Sequence, residues 1–211
     1  MTAPLLARVA AKLAARQPLL IVAFGSSTTE GVGASGPERS YPSLLPGELA
    51  RLAPDQPPAR VLNRGVGGEA IDEMRARLQR DVLEEDPDLV IWQMGTNAAM
   101  RRMDPDYFAD SAAQGIAQLL AAGPDLLLME PQGGPAMRTV RHSPAYRNAV
   151  RALGRRFGVP VLRRYDLMHR WGRRYDAPLV IEDGLHMTDL GYALLAQATA
   201  RAILRFARAG D

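Results

Sequence analysis

Cysteine is absent from the 211-residue sequence, and this absence excludes several kinds of chemistry. Disulfide scaffolds, zinc sites with thiolate ligands and thiol catalysis all require cysteine. Histidine is scarce as well, because only His142, His169 and His186 are present. A metal centre that uses several imidazole ligands is therefore not expected.

Lysine is almost absent too. Lys12 is the only lysine, so 25 of the 26 basic residues are arginine, and with 23 acidic residues the net charge is +3. Nucleic-acid binding typically requires clustered positive charge with aromatic side chains between the charges. Here acidic residues lie among the arginines, as in segments 73–77 and 80–81. We therefore interpret the charge as a general preference for arginine and expect no nucleic-acid partner.

Long apolar runs are also missing. The longest run, residues 19–24, has the length of a strand, whereas a bilayer span requires about 18 apolar residues. Charged residues interrupt the apolar segment 5–13, which is atypical of a signal peptide. We expect no transmembrane segment and a cytoplasmic protein, or a periplasmic or secreted one if a signal peptide has been removed. The oligomeric state cannot be predicted from the sequence.

What the sequence does contain is a regular alternation of strand and helix patterns. A length of 211 residues is typical of one domain, and no linker, repeat or change of composition divides it. Strands are predicted at 19–24, 60–63, 88–94, 125–129 and 159–162, and helices at 4–16, 41–53, 69–85, 104–122, 143–157 and 188–209. Loops are predicted at 26–40 and 131–142. The alternation predicts one α/β domain over residues 1–211, introduced by an N-terminal helix within 1–17. We expect three α/β/α layers around a flavodoxin-like, doubly wound parallel sheet of about five strands.

The order of polar residues predicts which edge of this sheet is functional. Sites in doubly wound sheets form outside the carboxyl ends of the strands. Gly25, Gly95 and Glu130 follow three of the predicted strands, and Asn63 is the last residue of the strand 60–63. Polar loops therefore gather at this edge.

A literal GxGxxG pattern lies at residues 31–36 within the predicted loop 26–40. A dinucleotide site needs such glycines between a strand and the helix that follows it. Here residues 25–30 separate the pattern from the strand, and Pro37 follows it. A flexible loop is the favoured interpretation, and a nucleotide-binding module remains the alternative from another functional class.

Two short segments have the residue types of nucleophilic catalysis. Ser26 and Ser27 follow a strand directly, where a hydroxyl lies at the rim of the sheet near free backbone N–H groups. Asp183 and His186 are three residues apart, so the carboxylate can orient one ring nitrogen while the other acts as a base. The alternatives are turn chemistry for the serines, and for Asp183 a helix cap beside a surface histidine.

Two further loops, at residues 63–68 and 95–97, contain neutral hydrogen-bond donors. A glycine N–H and an asparagine amide are suited to stabilising a developing oxyanion. Glycine and asparagine also occur in such turns for conformational reasons alone.

Together, these four blocks resemble the SGNH (GDSL-like) hydrolase superfamily over about residues 19–195. The family's blocks correspond here to Gly25-Ser26-Ser27, to Gly68 at the end of segment 63–68, to 95–98 and to 183–186. Two positions depart from the family: Ser26 stands where aspartate is usual, and Ala98 replaces the aspartate after Asn97. Alignment on Gly25 selects Ser27 rather than Ser26 as the nucleophile.

The resemblance implies an ester hydrolase that needs no metal and no organic cofactor. Ser27 is expected to attack the carbonyl, with His186 as base and Asp183 orienting it. The backbone N–H groups of Ser27 and Gly68 and the Asn97 side chain are expected to form the oxyanion hole.

The substrate is less well determined by the sequence. We expect a small-molecule or carbohydrate ester, including carbohydrate O-deacetylation, with a thioester or lysophospholipid as the alternative. Candidate substrate contacts are Arg101, Arg102, Arg138 and Tyr41, although solvated arginines and core packing are the ordinary roles of such residues. A non-catalytic carbohydrate- or nucleotide-binding module is the alternative from another class.

Overall fold

The computed structural model describes residues 3–208 and contains five strands in one sheet. All neighbouring strands are parallel, and the order across the sheet is β2-β1-β3-β4-β5. The strands are β1 (Leu20–Gly25), β2 (Arg60–Gly65), β3 (Leu89–Gln93), β4 (Asp125–Met129) and β5 (Val161–Leu162). The predicted flavodoxin-like parallel sheet is confirmed.

Helices connect successive strands and cover both faces of the sheet. In chain order they are α1 (Ala7–Ala14), α2 (Ser27–Glu30), α3 (Tyr41–Leu52), α4 (Ile71–Asp81), α5 (Thr96–Met100), α6 (Pro105–Ala122), α7 (Pro135–Thr139), α8 (Ser143–Phe157), α9 (Arg164–Trp171) and α10 (Asp189–Phe206). Local chemistry sets several of their ends. The Asp104 carboxylate accepts hydrogen bonds from the N–H groups of Asp106 and Tyr107 and thereby caps α6.

Two apolar clusters, one on each face of the sheet, form the core. Alternate side chains of each strand point to opposite faces, so Val22 and Phe24 enter one cluster while Ile21 and Ala23 enter the other. The first cluster contains residues of α4, α6 and α8, and the second contains residues of α1, α3, α9 and α10. The structure thus has the three layers that the sequence predicts.

The boundaries differ from the sequence prediction at several places. The N-terminal helix spans only Ala7–Ala14, and β5 is confined to Val161–Leu162 because Pro160 has no N–H to donate to a strand ladder. The predicted loops 26–40 and 131–142 contain the short helices α2 and α7. The final helix ends at Phe206, and the part of its prediction at residue 209 lies outside the described residues, as do residues 1 and 2.

Within residues 3–208, no helix is long and apolar enough to cross a membrane. Over the same range, no group of three or more histidine, aspartate and glutamate side chains is placed to hold a metal ion.

Candidate active site

Ser27 is the first residue of α2, directly after the carboxyl end of β1. A Cβ atom on Gly65, at the end of β2, would lie 2.0 Å from the backbone nitrogen of Glu30, so glycine permits α2 to pack directly on this strand end. Ser27 is half-buried at the rim. Because it begins the helix, its backbone N–H has no acceptor within α2.

Ser26, where the family usually has aspartate, is bound to Gln93 instead. The buried Gln93 Oε1 accepts hydrogen bonds from Ser26 N at 2.9 Å, Ser26 Oγ at 3.2 Å and Thr29 Oγ1 at 3.3 Å. A neutral amide at the end of β3 thus holds the turn that contains Ser26 and Ser27. Ser26 is 2% exposed, which leaves Ser27 as the accessible serine of the pair.

The loop that ends at Gly68 lies beside Ser27. A Cβ atom on Gly67 would be 3.9 Å from Ser27 Cβ, and Gly68 has a φ of 79°, which favours glycine. Asn97 Nδ2 donates a hydrogen bond of 2.7 Å to the carbonyl of Glu69. Since a side-chain amide has two N–H groups, Asn97 retains one donor for a ligand.

Ala98, the second departure from the family, is 1% exposed and packs in the first apolar cluster. A buried methyl group therefore occupies the position of the usual carboxylate. The α5 segment is held in place by apolar packing at this position.

Arg101 holds the Gly68 loop rather than extending freely into solvent. Its Nη2 donates to the Gly68 carbonyl and its Nη1 to Glu73 Oε1, each at 2.6 Å. The hydrogen bond from Arg101 lowers the pKa of Glu73 below its ordinary value. Arg101 thereby fixes the position of Gly68.

Asp183 and His186 form the predicted pair in the turn before α10. His186 Nδ1 lies 2.6 Å from Asp183 Oδ2, while Asp183 Oδ1 accepts hydrogen bonds from the backbone N–H groups of Leu185 and His186. Desolvation opposes ionisation of Asp183, but the hydrogen bonds from Leu185 and His186 outweigh it and lower the pKa. An ionised Asp183 is suited to orienting the imidazole.

Gln132, which follows β4, connects this turn to α2. Its Oε1 accepts from Thr28 Oγ1 at 3.2 Å, and its Nε2 donates to the carbonyl of Leu185 at 2.9 Å. The neighbours of Ser27 and His186 are thus joined through one buried side chain. Within the described residues, Ser27 Oγ and His186 make no direct hydrogen bond; in ligand-free enzymes such contacts are often long.

Arg164 in turn holds Gln132. Arg164 is fully buried, donates at 2.7 Å to Gln132 Oε1, and has its pKa lowered to about 10 by burial. Tyr41 lies in the second apolar cluster, where burial raises its pKa to about 12. Tyr41 has no exposed surface, so its predicted role as a substrate contact is wrong for this conformation.

Arg77 binds the ends of β1 and β2 from below the rim. This buried side chain donates to the carbonyls of Gly25 and Arg64, pairs with Glu69 at 2.6 Å, and lies 4.3 Å from the Phe24 ring centre. Its planar group of donors can make these contacts simultaneously.

The remaining predicted residues are two exposed arginines and the glycine-rich segment 31–36. Arg102 and Arg138 are exposed. Within segment 31–36, Gly33 packs against His186 and its neighbour: a Cβ on Gly33 would lie 2.7 Å from the carbonyl oxygen of Met187 and 3.1 Å from His186 Cβ.

Gln93, Gln132, Arg164 and Arg77 were not predicted as parts of the site. A single glutamine at the end of an apolar strand is a usable signal for Gln93. For Arg77 and Arg164 the sequence contains no signal, because burial of one arginine among 25 depends on tertiary packing.

The sheet, the rim serine and the Asp–His turn together define an SGNH-like hydrolase fold, and the comparisons with known proteins agree. Residues 1–208 match the non-GDSL lipase-like family, and the chain belongs to this family. The departure of Ser26 from the Gly-Asp-Ser pattern accords with that description.

Solved structures and curated proteins include similar molecules. A lipase/acylhydrolase from Enterococcus faecalis has a TM-score of 0.75 and 24% identity, covering 88% of this chain and 95% of that one. The acetylxylan esterase Axe2 from Geobacillus stearothermophilus has a TM-score of 0.74 and 20% identity, covering 88% and 94%. An arylesterase from Vibrio mimicus is 28% identical over 93 residues, which are 44% of this chain and 45% of that protein. The chain thus matches less than half the length of this curated relative.

Proposed function

We propose that this protein is a serine hydrolase of carboxylic esters, with Ser27, His186 and Asp183 as the catalytic triad. The observation that carries the proposal is the 2.6 Å contact between His186 Nδ1 and Asp183, which leaves the opposite ring nitrogen available as a base. Gln132 joins this turn to the helix of Ser27.

In the proposed reaction, Ser27 Oγ attacks the ester carbonyl while His186 accepts the hydroxyl proton. The alcohol then leaves with that proton, and an acyl-enzyme remains on Ser27. Water, deprotonated by His186, attacks the acyl-enzyme, releases the acid and restores the serine. Throughout, the Asp183 carboxylate stabilises the imidazolium form of His186.

The oxyanion is proposed to bind to the N–H groups of Ser27 and Gly68 and to the free N–H of Asn97. Each such donor contributes roughly 3 kcal/mol to transition-state stabilisation in comparable enzymes. Arg101 and Glu69 fix the loop and the amide in place through their hydrogen bonds to Gly68 and Asn97.

Exposed apolar side chains near the site favour an ester with an apolar part. Val32, Val66, Met100 and Ile181 are each at least 36% exposed. Three of them are joined to the site through backbone hydrogen bonds: Val32 N to Ser27 O, Val66 N to Gly25 O and Ile181 N to His186 O. Met100 ends the helix that contains Asn97.

This apolar rim supports a second candidate substrate class, the lipid-like esters of a lysophospholipase. A panel of p-nitrophenyl esters with increasing acyl length, together with acetylated sugars and acyl-CoAs, separates these classes. If the rim binds substrate, Val66→Asp raises KM for the longer esters more than for acetate.

Replacement of Ser27 tests the central proposal. Ser27→Ala is expected to abolish p-nitrophenyl acetate hydrolysis and covalent labelling by a fluorophosphonate, with the fold retained by circular dichroism. Ser26→Ala is the matched control, because its hydroxyl is buried against Gln93. Loss of turnover in Ser26→Ala with wild-type turnover in Ser27→Ala would contradict the assignment, and absence of labelling in wild type would favour a binding module.

A further inference from the structure

A cavity of about 340 Å³ lies between α9 and α10, away from the catalytic residues. The residues of β5 form part of its wall, and none of the proposed triad or oxyanion residues contributes to it. Small-molecule sites typically have volumes of about 300–1,000 Å³. The cavity is therefore large enough for a small ligand.

Four arginines line this cavity, and only one carboxylate accompanies them. The arginines are Arg163, Arg170, Arg201 and Arg205, and the acid is Asp166. Asp166 is already paired with Arg163 at 2.6 Å and with Arg151 at 3.1 Å. Among residues 3–208, no carboxylate lies within salt-bridge distance of Arg170, Arg201 or Arg205.

The arrangement of two of these arginines argues for an anionic occupant. Arg201 and Arg205 are four residues apart on α10, so they lie on the same face of the helix and repel each other. Scattered arginines on a solvated surface do not require a counter-charge. The four arginines here are also exposed, but they line one cavity, and like charges around one cavity are stabilised when an anion binds between them.

Trp171 gives the same cavity a flat apolar surface. The indole is half-buried at the end of α9, and Leu167, Leu194 and Ala198 also contribute to the lining. An arginine cluster beside an aromatic ring suits a ligand that combines a phosphate group with a planar ring.

We propose that the cavity between α9 and α10 binds a phosphorylated small molecule of the nucleotide class. The arginines contact the phosphates, and the ring of the ligand lies against Trp171. The site is separate from the proposed ester-hydrolase site and does not depend on its chemistry.

Tryptophan fluorescence provides a direct test, because the chain has only two tryptophans and Trp92 is fully buried in the core. Added ADP is expected to change the fluorescence of Trp171 until the change saturates. ADP is also expected to bind more tightly than either pyrophosphate or adenosine. The double variant Arg170→Glu/Arg201→Glu is expected to weaken ADP binding at least 10-fold. Arg138→Glu makes the same charge change at an exposed arginine outside the cavity, and it is expected to leave the affinity for ADP within twofold of the wild-type affinity.

Thermal unfolding with and without ADP gives an independent measurement on the same proteins. ADP is expected to raise Tm in wild type and in Arg138→Glu but not in the double variant, whose ester hydrolysis stays at the wild-type rate. Absence of saturation at millimolar ADP, or equal affinity in the double variant, would overturn the proposal. Equal affinity for ADP and pyrophosphate would overturn the role of Trp171.

Discussion

Replacing Gln132 with glutamate tests whether one buried side chain sets the position of the proposed base. In wild type, Gln132 Oε1 accepts hydrogen bonds from Thr28 and Arg164, and Nε2 donates to the carbonyl of Leu185. Glutamate has nearly the same shape and retains the two acceptor contacts. The Arg164 guanidinium, 2.7 Å away in wild type, keeps the new carboxylate ionised. Only the contact with the base turn is lost.

The size of the effect follows from the lost hydrogen bond. Loss of a buried hydrogen bond costs about 1 kcal/mol, and an oxygen facing the Leu185 carbonyl without a proton between them adds about 1–2 kcal/mol. A total of about 2–3 kcal/mol corresponds to a roughly 30- to 150-fold lower kcat if it falls entirely on the placement of His186. KM is expected to change little, because Gln132 is 2% exposed and lies beneath the rim.

The assay is steady-state hydrolysis of p-nitrophenyl acetate, with urea unfolding measured on the same proteins. Gln118→Glu is the matched control, because it makes the same chemical change at an exposed position of α6. A wild-type kcat in Gln132→Glu would refute the idea that this residue positions the base. An equal decrease in both variants would refute it as well.

Two further predictions concern packing and charge near the site. Gly65→Ala places a Cβ 2.0 Å from Glu30 N, so this change is expected to destabilise the fold by about 1–3 kcal/mol and to lower activity. Gly47→Ala is the control in open space on α3, and it is expected to stabilise the fold by about 0.5–1 kcal/mol. Urea unfolding measures both changes. Hydrogen bonds from Arg80 and Arg77 lower the pKa of Asp81 to about 2. The contribution of the Asp81 carboxylate to stability is therefore present above pH 4 and is lost between about pH 4 and 2. Wild type is therefore expected to lose unfolding free energy more steeply than Asp81→Asn over that interval, and parallel curves would contradict this.

The sheet could be predicted because its signals are local. Four apolar segments and the short segment 60–63, bounded by glycine, proline or polar residues, indicate strands, and the continuous apolar runs indicate parallel pairing with helices on both faces. Long helices such as α8 could also be predicted, from the periodic spacing of their apolar residues and from Gly158 after the last turn. Each of these features is determined by residues close together in the chain.

The short elements could not be predicted, since tertiary contacts determine them. Helix α2 has only four residues, which is too few for a periodic pattern, and it is fixed by Gln93 and by the close approach of Gly65. Helix α9 begins with the fully buried Arg164, a residue type that periodicity assigns to the surface.

The candidate site likewise contains local features that could be predicted and tertiary contacts that could not. The Asp183–His186 turn is local: the spacing permits its contact, and the family resemblance predicts it. Its relation to Ser27 remains a prediction. Arg101 was predicted as a substrate contact, and in the structure both of its terminal nitrogens donate within the protein, to Gly68 and Glu73. These hydrogen bonds could not be predicted from the sequence because the partners are about 30 positions away in the chain.

The packing of α1 has a practical consequence for attaching this protein to a support. Arg8 and Lys12 pair with Asp88, Val9 N donates to Asp125, and Leu6 N donates to the carbonyl of Phe206. The first and last helices therefore meet at the amino ends of the strands, opposite the rim that bears Ser27. A fusion partner or surface tether joined beyond either helix therefore lies at the opposite edge of the sheet and leaves the rim that bears Ser27 accessible.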